Sequence, residues 1–127
     1  MFNKLENNHS LEIIEENETV YSDTGKWLHP LLDCEDFVST YENKKALILH
    51  DKIQGQAAAA LSINLGFSKV YVDLISSKAL ELYERFPEIE VEYLEQIDSI
   101  WCVTESLITP DMKIADIVAF LKHRAGK

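Results

Sequence analysis

The chain has 127 residues, of which 46% are hydrophobic and 27% are charged. This length suits one ordinary domain, and the composition excludes a collagen-like or wholly disordered chain. The net charge of −10 argues against a nucleic-acid polymer or an anionic membrane as the main partner. We therefore expect a single α/β domain at residues 10–127, preceded by a flexible N-terminus at residues 1–9.

The acidic charge is concentrated near the start of the chain. Residues 1–42 hold ten acidic and two basic side chains, whereas residues 43–127 hold twelve and ten. Because acidic and basic side chains nearly balance in residues 43–127, a small anionic ligand could bind there, since one anion needs only a local positive potential. The sequence has neither a signal-peptide pattern nor an apolar run of membrane-spanning length, so we expect a cytoplasmic protein in which Cys34 and Cys102 are free thiols.

The N-terminal part of the domain is predicted to begin with a β-hairpin. Leu11–Glu15 and Thr19–Tyr21 flank a short turn in which Asn17 can adopt a positive φ. After a break at residues 22–25, the apolar spacing between Leu28 and Tyr41 predicts a helix entered near Pro30.

From residue 46 the pattern alternates between strands and helices. The predicted strands are residues 46–49, 69–74 and 89–94, and the predicted helices are residues 56–65, a segment capped by Ser76 or Ser77, and residues 111–124. Short connections of this kind require right-handed crossovers in a largely parallel sheet. We therefore predict a mixed sheet in which the hairpin precedes a parallel βαβαβ unit, with helices on both faces.

Ligands of such folds usually bind outside the carboxyl ends of the parallel strands. Three groups of residues are predicted to follow those ends: His50-Asp51-Lys52, Ile75-Ser76-Ser77 and Glu95-Gln96.

The segment from His50 to Gln56 is the most informative of these. It places polar side chains and Gly55 between a buried strand and a helix N-terminus, where the backbone N–H groups of residues 55–57 could bind a phosphate or a carboxylate. Lys52 would add positive charge, and Asp51 would act as an acid, a base or a hydroxyl acceptor. The alternative is that Asp51 only caps the turn and Gly55 only permits close packing.

Cys102 and Glu105 form a second candidate site. A cysteine at a helix start is activated by the helix dipole, and Glu105, one turn later, could accept its proton. The alternative is that Cys102 is a small buried hydrophobic residue, as Cys34 is expected to be.

The sequence lacks the local signatures of several other sites. It has no C-x-x-C or H-x-x-x-H spacing for zinc, no G-x-S-x-G hydrolase motif and no phosphate-binding glycine fingerprint. A metal site assembled from His29, His50 and Cys102 across the fold remains an alternative. We otherwise expect no metal and no cofactor.

The order of several segments resembles a family of uncharacterised bacterial and archaeal proteins whose fold is grouped with the cytidine deaminases. The segments that carry the resemblance are residues 46–59, 69–72, 75–82 and 91–93, together with the hairpin, Gly25-Lys26 and Pro30-Leu31-Leu32. Cys102 and Glu105 resemble a C-P-x-E segment of the family, although Val103 occupies the position of the proline.

The resemblance implies a three-layer α/β/α sandwich and raises the question of deamination. Zinc deaminases need H-x-E or C-x-E on one helix and P-C-x-x-C on the next. The corresponding positions here are His29-Pro30-Leu31 or Cys34-Glu35-Asp36, and then Asp51 to Gly55, and none of them supplies the required motif. Zinc-dependent deamination is therefore not expected.

Two hypotheses follow. In the first, the domain binds a small anionic or nucleotide-like ligand through Lys52, Gly55, Gln56, Ser76 and Ser77, with Asp51, Cys102 and Glu105 as the candidate catalytic residues. In the second, it is a non-catalytic regulatory domain that self-associates. Exposed apolar surface on the 57–65 helix or on the C-terminal helix would favour the second.

Overall fold

A computed structural model describes residues 2–100 and 102–126 of the chain. Its strands are β1 (Leu11–Glu15), β2 (Glu18–Asp23), β3 (Leu47–Gln54), β4 (Lys69–Ser76) and β5 (Glu90–Ile97). Its helices are α1 (His29–Asp33), α2 (Glu35–Ser39), α3 (Gln56–Leu65), α4 (Ser77–Glu84), α5 (Val103–Ser106) and α6 (Ile114–Arg124). None of the helices described is long and apolar enough to cross a membrane.

The five strands form one mixed sheet in the order β2-β1-β3-β4-β5. Strands β3, β4 and β5 are parallel, while β1 is antiparallel to both β2 and β3. The predicted hairpin and βαβαβ unit are thus confirmed. Glu16 and Asn17 form the hairpin turn with φ angles of 50° and 68°, the left-handed conformation that a two-residue turn between twisted strands requires.

The helices that cover the parallel strands lie in one continuous layer. Helix α3 contacts α1, α4, α5 and α6. This follows from the strand order, because two right-handed crossovers that step in the same direction along a sheet place their helices on the same face. Helices on both faces, and with them the three-layer sandwich, are therefore not confirmed, and the cytidine-deaminase-like grouping stays a prediction.

The opposite face of the sheet is contacted by the N-terminal segment, residues 2–9, which the sequence predicts to be a flexible lead-in. The Phe2 ring stacks on Tyr71 at 4.5 Å between centroids, and the Leu5 N–H donates to Asp73 at 3.1 Å. His50 lies on this face too, with its Nε2 atom 2.8 Å from Asp73 Oδ1. Buried polar groups on this face therefore have partners from the chain itself.

Three element boundaries differ from the predictions. The helix expected between Leu28 and Tyr41 is two short helices joined at Cys34, which is fully buried. The last helix begins at Ile114, after Lys113, rather than at Asp111. Strand β3 continues to Gln54, five residues beyond the apolar run that ends at Leu49, because it pairs with β1 as far as Asp51 and with β4 as far as Gln54. Asp51 and Lys52 therefore lie within the strand and not after it.

Helix α3 is stabilised at its N-terminus by a residue from a distant part of the chain. Gly55 precedes the helix and has no side chain to cap it. Instead the Glu105 carboxylate accepts the N–H groups of Gln56 at 2.6 Å and Ala57 at 2.8 Å. A negative group with two backbone donors at a helix N-terminus satisfies groups that would otherwise lack partners and also favours the helix dipole.

The Glu105 cap explains why residue 55 is glycine. The φ and ψ angles of Gly55 are −97° and −168°, an extended conformation open to any residue. However, a Cβ atom at this position would collide with Glu105 Oε1. The requirement for glycine is therefore steric and comes from the carboxylate, not from the backbone.

We expect Gly55→Ala to lower the free energy of unfolding by about 1–3 kcal/mol, because the carboxylate must leave at least one of its two N–H donors. Urea denaturation measures this loss. Glu105→Ala should cost a similar amount, and the double variant should cost little more than Glu105→Ala alone, because the collision is then gone. Losses that simply add in the double variant would contradict this explanation of Gly55.

Candidate functional site

A cleft of about 580 Å³ opens at the carboxyl end of β3. Four separate parts of the chain line it, around Ser10, Trp27, Asp51 and Cys102. Five predicted site residues meet there, namely Asp51, Lys52, Gly55, Cys102 and Glu105. The structure therefore brings the two candidate segments of the sequence analysis into one site.

Asp51 is a buried carboxyl that lines this cleft. Its relative exposure is 7%, and its strand neighbours Leu11 and Val72 are fully buried apolar residues. Burial raises the pKa of the Asp51 carboxyl to about 7, while hydrogen bonds from Gln54 and from the Lys52 N–H act in the opposite direction. Such a carboxyl changes its charge near neutral pH, which is typical of groups that bind or exchange protons.

Gln54 connects Asp51 to two helices. Its Nε2 atom donates to Asp51 Oδ2 at 3.0 Å and to Ser62 Oγ in α3 at 2.9 Å. Its Oε1 atom accepts the hydroxyl of Tyr83 in α4 at 2.6 Å. Burial raises the pKa of Tyr83, so this hydroxyl keeps its proton and remains a donor. Gln54 is not among the site residues predicted from the sequence, because the apolar run that indicates the strand ends before it.

The predicted anion site at the start of α3 needs a correction. The N–H groups of Gln56 and Ala57 do bind an anion, as predicted, but that anion is the Glu105 carboxylate of the same chain. Both oxygens of Glu105 accept hydrogen bonds, which makes this carboxylate the cap of α3. A ligand anion in the cleft must therefore be neutralised elsewhere.

Cys102 is half-buried and immediately precedes α5. This helix has only four residues, so the dipole expected to activate the thiol is small. Cys34 lies in the core, where burial and, to a smaller extent, the charge of Asp51 raise the pKa of its thiol to about 12. Both cysteines are free thiols.

The three remaining predicted ligand residues lie outside the Asp51 cleft. Ser76 caps α4 by accepting the Ala79 N–H at 3.1 Å, and it lines a neighbouring cleft of about 360 Å³. Ser77 donates to the Ile97 carbonyl, which ties α4 to β5. Gln56 lines a third cavity. The two clefts share Cys102 and Glu105, so the segment around α5 forms the wall between them.

The loop that forms the rim of the cleft is also not among the site segments predicted from the sequence. Lys26, Trp27 and Leu28 line it, and the Trp27 side chain is 42% exposed. Trp27 has a φ of 57°, a left-handed conformation that is strained for a bulky side chain. The break in pattern at residues 22–25 indicated a loop but not which side chains it would present.

The structure does not assemble His29, His50 and Cys102 into a metal site. His50 faces the opposite side of the sheet from the cleft, where it pairs with Asp73. Within residues 2–100 and 102–126, no group of three or more His, Cys, Asp or Glu side chains is placed to hold a metal ion.

The fold is similar to that of a solved structure. This is the crystal structure, at 2.70 Å resolution, of a DUF1893 family protein (TM1506) from Thermotoga maritima. The TM-score is 0.79 at 19% sequence identity, and the match covers 91% of this chain and 80% of the other. At this identity the likeness concerns the fold alone. No curated protein shows significant similarity to the chain.

The family comparison extends over nearly the whole sequence. The model of the family described as TM1506, a domain of unknown function (DUF1893), matches residues 1–123. This range includes every strand, every residue of the Asp51 cleft and most of α6. The chain therefore belongs to the DUF1893 family.

Proposed function

We propose that this domain binds a small nucleotide-like anion in the Asp51 cleft. The observation that carries the proposal is a buried carboxyl, that of Asp51, lining a cleft whose surface is largely apolar. A few polar groups in a concave apolar site are typical of small-molecule binding. Asp51 would contact the polar edge of a planar ring, and the exposed Trp27 would stack on its face.

The rim of the cleft offers positive charge for the anionic part of the ligand. Lys26 and Lys52 line the cleft, and both are exposed. Neither forms an ion pair with another residue in the described ranges 2–100 and 102–126. Because Glu105 occupies the start of α3, these two lysines replace the helix N-terminus as the proposed phosphate contacts.

Any chemistry on the bound molecule would fall to Asp51 and Cys102, since the Glu105 carboxylate is used as a helix cap. The proposal does not depend on a deaminase-like grouping of the fold. Self-association, the alternative, finds less support. The apolar residues of α3 and α6 that would have to be exposed are mostly buried, among them Ala57 to Leu61, Ile117 and Leu121.

Thermal-shift and calorimetric titrations with nucleoside monophosphates and the matching nucleosides test the proposal. We expect a nucleotide to bind and to raise the melting temperature, because a ligand that binds only the folded state stabilises it. Trp27→Ala should weaken binding by roughly tenfold or more through loss of stacking.

The lysines provide a sharper test of the phosphate position. Lys26→Ala and Lys52→Ala should weaken nucleotide binding several-fold and leave nucleoside binding nearly unchanged. Lys45→Ala is the matched control, since Lys45 is equally exposed but lies just before the start of β3, at the far end of the sheet. If no nucleotide or nucleoside binds at millimolar concentration, the proposal is wrong.

The pKa of Asp51 leads to a separate prediction about stability. A carboxyl with a pKa near 7 in the folded state and near 4 when unfolded binds protons more tightly when folded, so its contribution to stability falls as pH rises from about 4 to 7. Above pH 7 the carboxyl is ionised in the folded state, and it continues to lower the free energy of unfolding. The wild type should therefore lose a few kcal/mol of unfolding free energy relative to Asp51→Asn between pH 4 and pH 7, because the variant has no carboxyl to ionise. Urea denaturation of both proteins at pH 4 and pH 8 measures it, and a constant difference would contradict the raised pKa.

A further inference from the structure

The hydrogen bonds around Asp51 restrict the chemistry of the ligand that it can contact. Each of its oxygens accepts one bond from the protein: Oδ1 from the Lys52 N–H at 2.9 Å and Oδ2 from Gln54 Nε2 at 3.0 Å. An ionised carboxylate has about four acceptor positions on its two oxygens. One position on each oxygen is therefore left for a partner in the cleft.

The orientation of the Gln54 amide is fixed by its other neighbours. The Ser62 hydroxyl donates its hydrogen to the Ala58 carbonyl at 2.8 Å, so it can only accept a hydrogen from Gln54. Tyr83 donates to Gln54 Oε1 at 2.6 Å. Both conditions place the NH₂ group of Gln54 next to Asp51. Reversing the amide would set Oε1 against the carboxylate and leave Ser62 without its donor.

Both protein groups that contact the Asp51 carboxylate are hydrogen-bond donors. The ionised carboxylate itself has no hydrogen, so it can only accept hydrogen bonds from a molecule in the cleft. Two acceptors on one planar group match two parallel N–H donors, as in the bidentate pairs that carboxylates form with guanidinium groups. A free guanidinium is disfavoured here because Lys26 and Lys52, both cationic, lie on the rim of the same cleft. A neutral ring that carries the same pair of donors avoids this repulsion and fits the apolar walls.

We infer that Asp51 recognises a planar heterocycle with two neighbouring N–H donors, the edge that guanine presents, and that Gln54 positions the carboxylate for it. This inference rests on the proposed function and names the class of ring for the same site. Gln54 is a positioning residue, since it acts through Asp51. Tyr83 and Ser62 hold it in the orientation that keeps a donor on the carboxylate.

Calorimetry with the 5′-monophosphates of guanosine, inosine and xanthosine tests this inference at pH 8. Inosine monophosphate lacks the exocyclic amino donor, and xanthosine monophosphate has a carbonyl oxygen in its place. We expect guanosine monophosphate to bind at least about tenfold more tightly than either, because each of the others loses one hydrogen bond to a charged group.

Each outcome distinguishes this inference from the proposed function. Equal affinity for the three purine nucleotides would overturn the inference and leave the cleft as a nucleotide site. Binding of adenosine or cytidine monophosphate without binding of guanosine monophosphate would do the same. If none of these nucleotides binds, the proposed function fails, and the inference fails with it.

Variants of the network test the role of Gln54. Tyr83→Phe removes the donor that fixes Oε1, so we expect the preference for guanosine over inosine monophosphate to fall several-fold, with the larger loss in guanosine monophosphate binding. Ser62→Ala, which removes the other fixed partner of the amide, should act in the same direction if Tyr83→Phe does not fold. Tyr93→Phe is the control, because Tyr93 is an exposed tyrosine of β5. A preference that is unchanged in a folded Tyr83→Phe or Ser62→Ala protein would show that Gln54 has a purely structural role.

Discussion

The contact between Glu105 and the start of α3 holds together the part of the fold where the site lies. It joins residues 49 and 48 positions apart in sequence, and it satisfies two N–H groups that the helix itself cannot satisfy. It also determines the residue at position 55, since only glycine leaves room for the carboxylate. The same side chain forms part of the wall between two clefts. Without this contact α5 would lose its main polar attachment to the helical layer, and the Asp51 cleft would lose one side.

Two carboxyls therefore line one cleft in very different states. Glu105 has two backbone donors at a helix N-terminus, where its negative charge is favourable. Asp51 is buried among apolar neighbours with one donor on each oxygen, and its ionisation is unfavourable enough to raise its pKa to about 7. Each carboxyl accepts one hydrogen bond on each oxygen, so the two differ in their surroundings and not in the number of donors. Because Glu105 already occupies the N–H groups at the start of α3, the proposed ligand contact is Asp51 and not the helix N-terminus.

Much of the fold could be predicted from the sequence because it depends on local patterns. Apolar segments on both sides of a turn with Asn17 predicted the hairpin, and Gly66 after α3 has a φ of 91°, the left-handed conformation typical of a glycine that ends a helix. The end of β3 could not be predicted in this way. Its apolar run stops at Leu49, but pairing continues with β1 as far as Asp51 and with β4 as far as Gln54, and these are long-range contacts.

The site was predictable only in part for a related reason. Asp51 and Cys102 were identified separately by residue type and by their positions near strand and helix ends. That Glu105 would occupy the helix N-terminus depends on where α5 packs, and no local spacing encodes it. Trp27 gave no signal at all, because its strained backbone and its place at the rim are properties of the folded loop.

The position of Asp51 is itself an argument for a role in binding. Its cross-strand neighbours, Leu11 and Val72, are both fully buried, so a valine or leucine at this position would continue the apolar core. An aspartate there costs desolvation free energy, and Gln54, Ser62 and Tyr83 are needed to satisfy the polar groups that accompany it. Nothing in the packing of the sheet requires this arrangement. Asp51 thus departs from the local apolar pattern at a cost in stability, has a buried hydrogen-bond network around it and lines a cleft. These features support the proposed role of Asp51 in binding, because functional sites are where an otherwise regular core departs from its pattern.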